Sequence, residues 1–258
     1  MILDKTYLSE DFMNIITEYK NTFAHKFNLY FGFLIFMIIG TALSIPVSLF
    51  QDPDNPAILP YLVTTLIAEF IILFLGLLFT GHLKNWKVFL LLDKPKFSHF
   101  AIGIFAGPAI FITLQVTNIL INNFIGEEGS TSSTTSSIAD SSGIMRVLLF
   151  FILVPIIIPF VEEVFFRAFL INSALYGIKN RKLAIFLGVL LSSFFFALAH
   201  VQGFSSVGDL MVPLNIFFVG MVNALLLVKT NSVWTSFMSH ATYNGITLLV
   251  VSLIAANS

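Results

Sequence analysis

From Val147 to Phe160 the chain reads VLLFFILVPIIIPF, fourteen residues without a charge or an amide side chain. Apolar runs like this one restrict the fold more than any other feature. A helix of about 20 apolar residues spans a bilayer, because it satisfies its own backbone hydrogen bonds. Seven such runs occur, at about 28–50, 58–80, 98–121, 147–175, 183–203, 210–228 and 233–254. Hydrophobic types make up 57% of the residues and charged types 10%, against roughly 25% charged in a soluble domain. Mean hydropathy is +0.93. The expectation is an all-α, polytopic membrane protein with about seven transmembrane helices, and a soluble fold is excluded.

The connecting segments predict orientation. With the N-terminus in the cytoplasm, Lys5, Lys20, Lys26, Lys84, Lys87, Lys94, Lys96, Lys179, Arg181, Lys182 and Lys229 fall inside. Only Arg146 falls outside, with Asp52, Asp54, Glu127, Glu128, Asp140 and Asp209. The positive-inside rule therefore predicts a multi-pass cell-membrane protein with a cytoplasmic N-terminus and an extracytoplasmic C-terminus. In segment 1–27, Leu8, Phe12, Ile15, Tyr19 and Phe23 recur at helical spacing among polar residues, which predicts an amphipathic helix on the inner leaflet. That segment is too polar for a cleavable signal. Three accessory spans are expected over 28–121, and a Ser/Thr-rich extracytoplasmic loop over 122–145, built around Gly129–Gly143. A four-helix core is expected over 146–254. No basic nucleic-acid face is present. No cysteine is present either, which excludes disulfides, thiolate metal sites and a cysteine nucleophile.

Three charges interrupt the fourth run, in FVEEVFFRAFL (Phe160–Leu170). Glu163 and Arg167 are four apart on a helix and can pair. Glu162 is turned by about 100° from Glu163 and is left over. An intramembrane acid without an obvious partner marks a functional site by default. Pro155 and Pro159 just upstream each remove a backbone donor and can open a wet pocket beside Glu162.

Two later runs carry polar pairs at the same four-residue spacing. Phe196 and His200 share a face of the fifth, and His240 and Asn244 share a face of the seventh. A rise of about 1.5 Å per residue puts Glu162 and His200 at one depth, with the seventh-run pair slightly beneath. A desolvated carboxylate can take a proton from water, and a histidine can share it. A histidine and an amide can donate to a developing oxyanion. The set suffices for peptide-bond hydrolysis without a cofactor. Glu162, His200 and His240 could equally ligate zinc with an open fourth position, and spacing alone leaves both open. Glu69 in the second run reads as a packing or pocket-lining residue.

These motifs, in order on three spans, resemble the CPBP family, which comprises type II CAAX prenyl proteases and bacterial bacteriocin-processing and immunity proteins. The resemblance covers roughly 145–250. It implies an intramembrane, glutamate-dependent endopeptidase with an all-helical core; it does not fix the substrate, for which a membrane-associated peptide or protein is the expectation. Carried onto this sequence, Glu162 and His200 would activate water, and His240 and Asn244 would stabilise the oxyanion. Glu163, Arg167 and Phe196 would support the site. The resemblance does not require a metal. Two other classes compete: a non-catalytic immunity or scaffolding protein, and a proton-coupled carrier. The carrier lacks the internal repeat that such proteins often show.

Overall fold

The computed structural model describes residues 58–79, 81–92, 95–125, 148–178, 180–200 and 207–255. The expected amphipathic helix, the first run at 28–50 and the Gly129–Gly143 stretch lie outside them. Every regular element among the described residues is helical. Helix α1 is Ile58–Phe79, α2 Trp86–Phe89 and α3 Phe97–Ile125. Four consecutive segments then form one long helix, α4: Leu149–Ile157 and Glu163–Phe169 are π-wound, and Ile158–Glu162 and Leu170–Gly177 are α-wound. Helices α5 Arg181–Ala199, α6 Val207–Thr230 and α7 Val233–Ala255 follow. Helices α3 to α7 are the five described helices long and apolar enough to cross a membrane. The bent pair Leu66–Leu78 and Leu83–Phe89, at 113°, passes the same test when its two parts are taken together.

The π-wound segment Glu163–Phe169 is the hub of the fold. It touches α1, α5, α6 and α7, and all seven of its residues are buried. A helix segment that is apolar nearly all round belongs at the centre of a bundle, and EVFFRAF carries only two polar side chains. Its aromatic rings interlock: Phe165 packs on Phe166 and Phe169, and Phe166 on Phe196. Helix α5 approaches through the small residues Ala184, Gly188 and Ser192, one per turn. A Cβ on Gly188 would sit 3.3 Å from that of Ala174. Ser192 Oγ donates to the Phe166 carbonyl at 2.6 Å.

Helix α3 lies at the periphery. Phe105, Ile112 and Leu120 are 77%, 61% and 63% exposed, as side chains facing lipid should be. Its inner edge carries Gly103 and Gly107, the small-xxx-small pattern that lets membrane helices meet backbone to backbone. A Cβ on Gly103 would come 2.5 Å from Met238 Cβ and 2.6 Å from the Thr235 carbonyl. One on Gly107 would strike Thr242 Oγ1 and the Ser239 carbonyl. Gly107→Ala should therefore destabilise by about 1–3 kcal/mol through overpacking. Gly245→Ala, where an added Cβ meets nothing within 4 Å, should be neutral or stabilising. Thermal unfolding in detergent, run side by side, checks both.

The segment after α1 folds back beneath the bundle. Gly81, at φ 74°, ends α1 in a left-handed turn. Gly81 N–H bonds to the Leu78 carbonyl at 3.1 Å and His82 N–H to that of Leu77 at 2.9 Å. His82 stacks on Phe89 at 4.0 Å. Asn172 donates to the Phe89 carbonyl. Trp234 Nε1 donates to Leu92 O at 3.1 Å, and Val233 N–H to Leu91 O at 3.2 Å. This segment therefore anchors the start of α7. Burial pulls the His82 imidazole from the usual 6.5 down to about 4. The unfolded chain thus takes up a proton near pH 6.5 that the folded one refuses. The stabilisation from the neutral buried ring is complete above about pH 6.5 and is lost as pH falls toward 4. Between pH 7.5 and 5 the wild type should lose more melting temperature than His82→Phe, whose ring keeps the stack on Phe89.

Candidate active site

Glu162 is the last residue of the short α-wound segment of α4, and Glu163 opens the π-wound one. Adjacent residues of a helix point about 100° apart, so the two carboxylates meet different partners. Glu162 Oε1 lies 3.4 Å from His200 Nε2, and Oε2 lies 3.7 Å from His240 Nε2. Glu163 Oε1 lies 2.9 Å from His240 Nδ1, and Oε2 lies 3.4 Å from Arg167 Nε. His240 therefore stands between the two acids. The i, i+4 pairing of Glu163 with Arg167 is as expected, and Glu162 and His200 stand side by side. That one histidine joins both acids was not legible from spacing.

His200 is not inside its helix. Helix α5 ends at Ala199, and His200 follows at φ −105°, ψ 6°. Its Nδ1 lies 2.7 Å from the Phe196 carbonyl. A carbonyl only accepts, so Nδ1 carries the proton. In the neutral ring Nε2 is then a bare lone pair facing the Glu162 carboxyl. Two acceptors in that arrangement share a proton or hold a water between them. The Phe196 ring supports this geometry. It meets His200 at 4.6 Å, His240 at 5.5 Å and the Arg167 guanidinium at 3.9 Å. Each is an edge or cation–π contact of the kind that fixes orientation.

Arg167 is fully buried. Its NH1 and NH2 have no hydrogen-bond partner among the described residues. Glu163 and the Phe196 face are thus its principal compensation. A Cβ on Gly220 would come 3.2 Å from Ser193 Cα and 3.3 Å from Arg167 NH2, so α6 packs closely over both. Asn223, one turn further along α6 and fully buried, donates from Nδ2 to Glu163 Oε1 at 3.3 Å. Sequence reasoning missed Asn223, although a lone amide in the apolar run FFVGMVNALLLV was signal enough. Glu69 is buried on α1, which packs against the segment ending at Glu162, and it lies within electrostatic range of Glu162. It therefore packs beside the end of the segment that carries Glu162.

Asn244 makes a contact that its spacing does not foretell. It follows His240 by one turn of α7, yet its Nδ2 donates to the Val154 carbonyl on α4 at 3.2 Å. The zinc set of Glu162, His200 and His240 is together in space. However, the two imidazoles reach opposite oxygens of one carboxylate that stands between them. Among the described residues no group of three or more His, Cys, Asp or Glu side chains is arranged to hold a metal ion.

Comparison with curated proteins and with solved structures gives no significant match. The segment carrying the acids, both histidines and the amide does match a known family. Residues 144–246 fit the family model described as type II CAAX prenyl endopeptidase Rce1-like, consistent with a CPBP family intramembrane protease.

Proposed function

We propose that the chain is a glutamate-dependent intramembrane endopeptidase that hydrolyses a peptide bond in a membrane-associated peptide or protein. The observation that carries this reading is the carboxyl of Glu162 held between two imidazoles, 3.4 and 3.7 Å away. Water enters beside His200, whose side chain is 32% exposed against 8% for Glu162 and 5% for His240. Glu162, with His200 Nε2, takes one proton from that water as its oxygen attacks the scissile carbonyl. The proton then passes to the leaving amine. His240, held by Glu163 on its other nitrogen, donates from a protonated Nε2 to the developing oxyanion. The second N–H of the Asn244 amide is a further donor. Glu163, Arg167, Phe196 and Asn223 hold the set in place. No zinc is needed for these steps.

The setting we propose is a bacterial cell membrane, with the N-terminus cytoplasmic and the C-terminus outside. The work there would be peptide maturation, a bacteriocin-related step or envelope regulation. The test compares peptides released by cells carrying the wild type or Glu162→Gln at equal membrane levels. Loss of a peptide with the variant supports the reading. Matching profiles, with both versions rescuing a null phenotype, would instead favour a scaffold that binds a partner through its helices.

A further inference from the structure

We propose that Asn244 is a positioning residue. Its side-chain amide replaces the backbone N–H that Pro159 lacks, and so fixes the winding of α4 that presents Glu162. In the π-wound stretch Leu149–Ile157, bonds run from each N–H to the carbonyl five residues back. At its end Ile158 N–H reaches the Leu153 carbonyl in that register. The next donor would be residue 159 and the next acceptor Val154. Residue 159 is proline and has no N–H to give. The Val154 carbonyl is met instead by Asn244 Nδ2 at 3.2 Å, from a residue ninety positions away.

This contact has two consequences. It supplies a partner to a carbonyl that the sequence itself orphans, at the point where α4 changes from π to α winding, one short segment before Glu162. It also clamps α7 to α4 one turn beyond His240, so it governs the 3.7 Å approach of His240 to Glu162. An amide that served only as an oxyanion donor would have no reason to be coupled to residue 159. The effect on turnover rests on the protease reading, whereas the contact itself does not.

The experiment is a double-mutant cycle of Asn244→Ala and Pro159→Ala on the full chain in detergent. Pro159→Ala restores a backbone N–H in register with the Val154 carbonyl. Asn244→Ala in the wild-type background should lower the melting temperature by about 2–4 °C, the scale of one hydrogen bond in a chain of this size. In the Pro159→Ala background the same change should cost less than half as much. Equal losses in both backgrounds overturn the inference. If Asn244→Ala does not survive purification, Asn244→Ser is read in the same two backgrounds.

With a cleaved peptide in hand, Asn244→Ala should lower kcat at nearly constant KM, and Pro159→Ala should recover part of that loss. Thermal coupling without recovery of kcat overturns the positioning role and leaves the amide as a structural contact and an oxyanion donor. If the wild type itself cleaves nothing, the protease reading fails, and the thermal cycle still decides whether the amide stands in for the missing N–H.

Discussion

Arg167→Met should destabilise the protein by about 3–5 kcal/mol, the usual consequence of leaving one member of a buried ion pair without its partner. Glu163 and Arg167 are both fully buried and lie 3.4 Å apart. Against a total of about 5–15 kcal/mol for a folded domain, the loss should show as poor accumulation and a broad peak in size-exclusion chromatography. Arg167→Lys should rescue little, because an ammonium lacks the planar face that lies 3.9 Å over Phe196. The paired change Glu163→Gln with Arg167→Met removes both charges and should recover most of the folded protein. It should not recover activity, since His240 would lose the carboxylate on its Nδ1. Full activity in the paired variant would mean that Glu163 acts only as a counter-ion to Arg167.

Glu162→Gln and His200→Ala should each lower kcat by about 10²–10⁴, the range for loss of a general acid–base group. The double variant should be hardly worse than either single one. The two side chains face each other at 3.4 Å and act on one proton, and residues that act as a unit are not additive. Neither change should cost much stability, because Gln keeps the shape of Glu162 and His200 lies just past a helix end, partly exposed. Multiplicative losses would indicate that the two act in separate steps.

The four-residue spacings made half of this site legible. Glu163 with Arg167, and Phe196 with His200, touch as a helix period predicts. Apolar run length likewise located α3 to α7. The rest depends on features that a period of 3.6 does not carry. His240 reaches Glu162 and Glu163 from a different helix, and neither residue spacing records that bridge. The end of α5 at Ala199 places His200 on a turn, a boundary that an unbroken apolar run hides. The Asn244 contact needed the register of a helix ninety residues away. Two signals were present and unused: the glycines at 103 and 107, which seat α3 on α7, and Asn223 alone in its apolar run.

The measurement that bears most directly on the central claim uses purified protein in detergent or liposomes. Wild type and Glu162→Gln, matched for melting temperature, are incubated with the peptide identified in cells, in water enriched in oxygen-18. The account predicts cleavage by the wild type alone, with one labelled oxygen in the new C-terminal carboxylate. Cleavage at an equal rate by Glu162→Gln would show that the water is activated elsewhere and would contradict it.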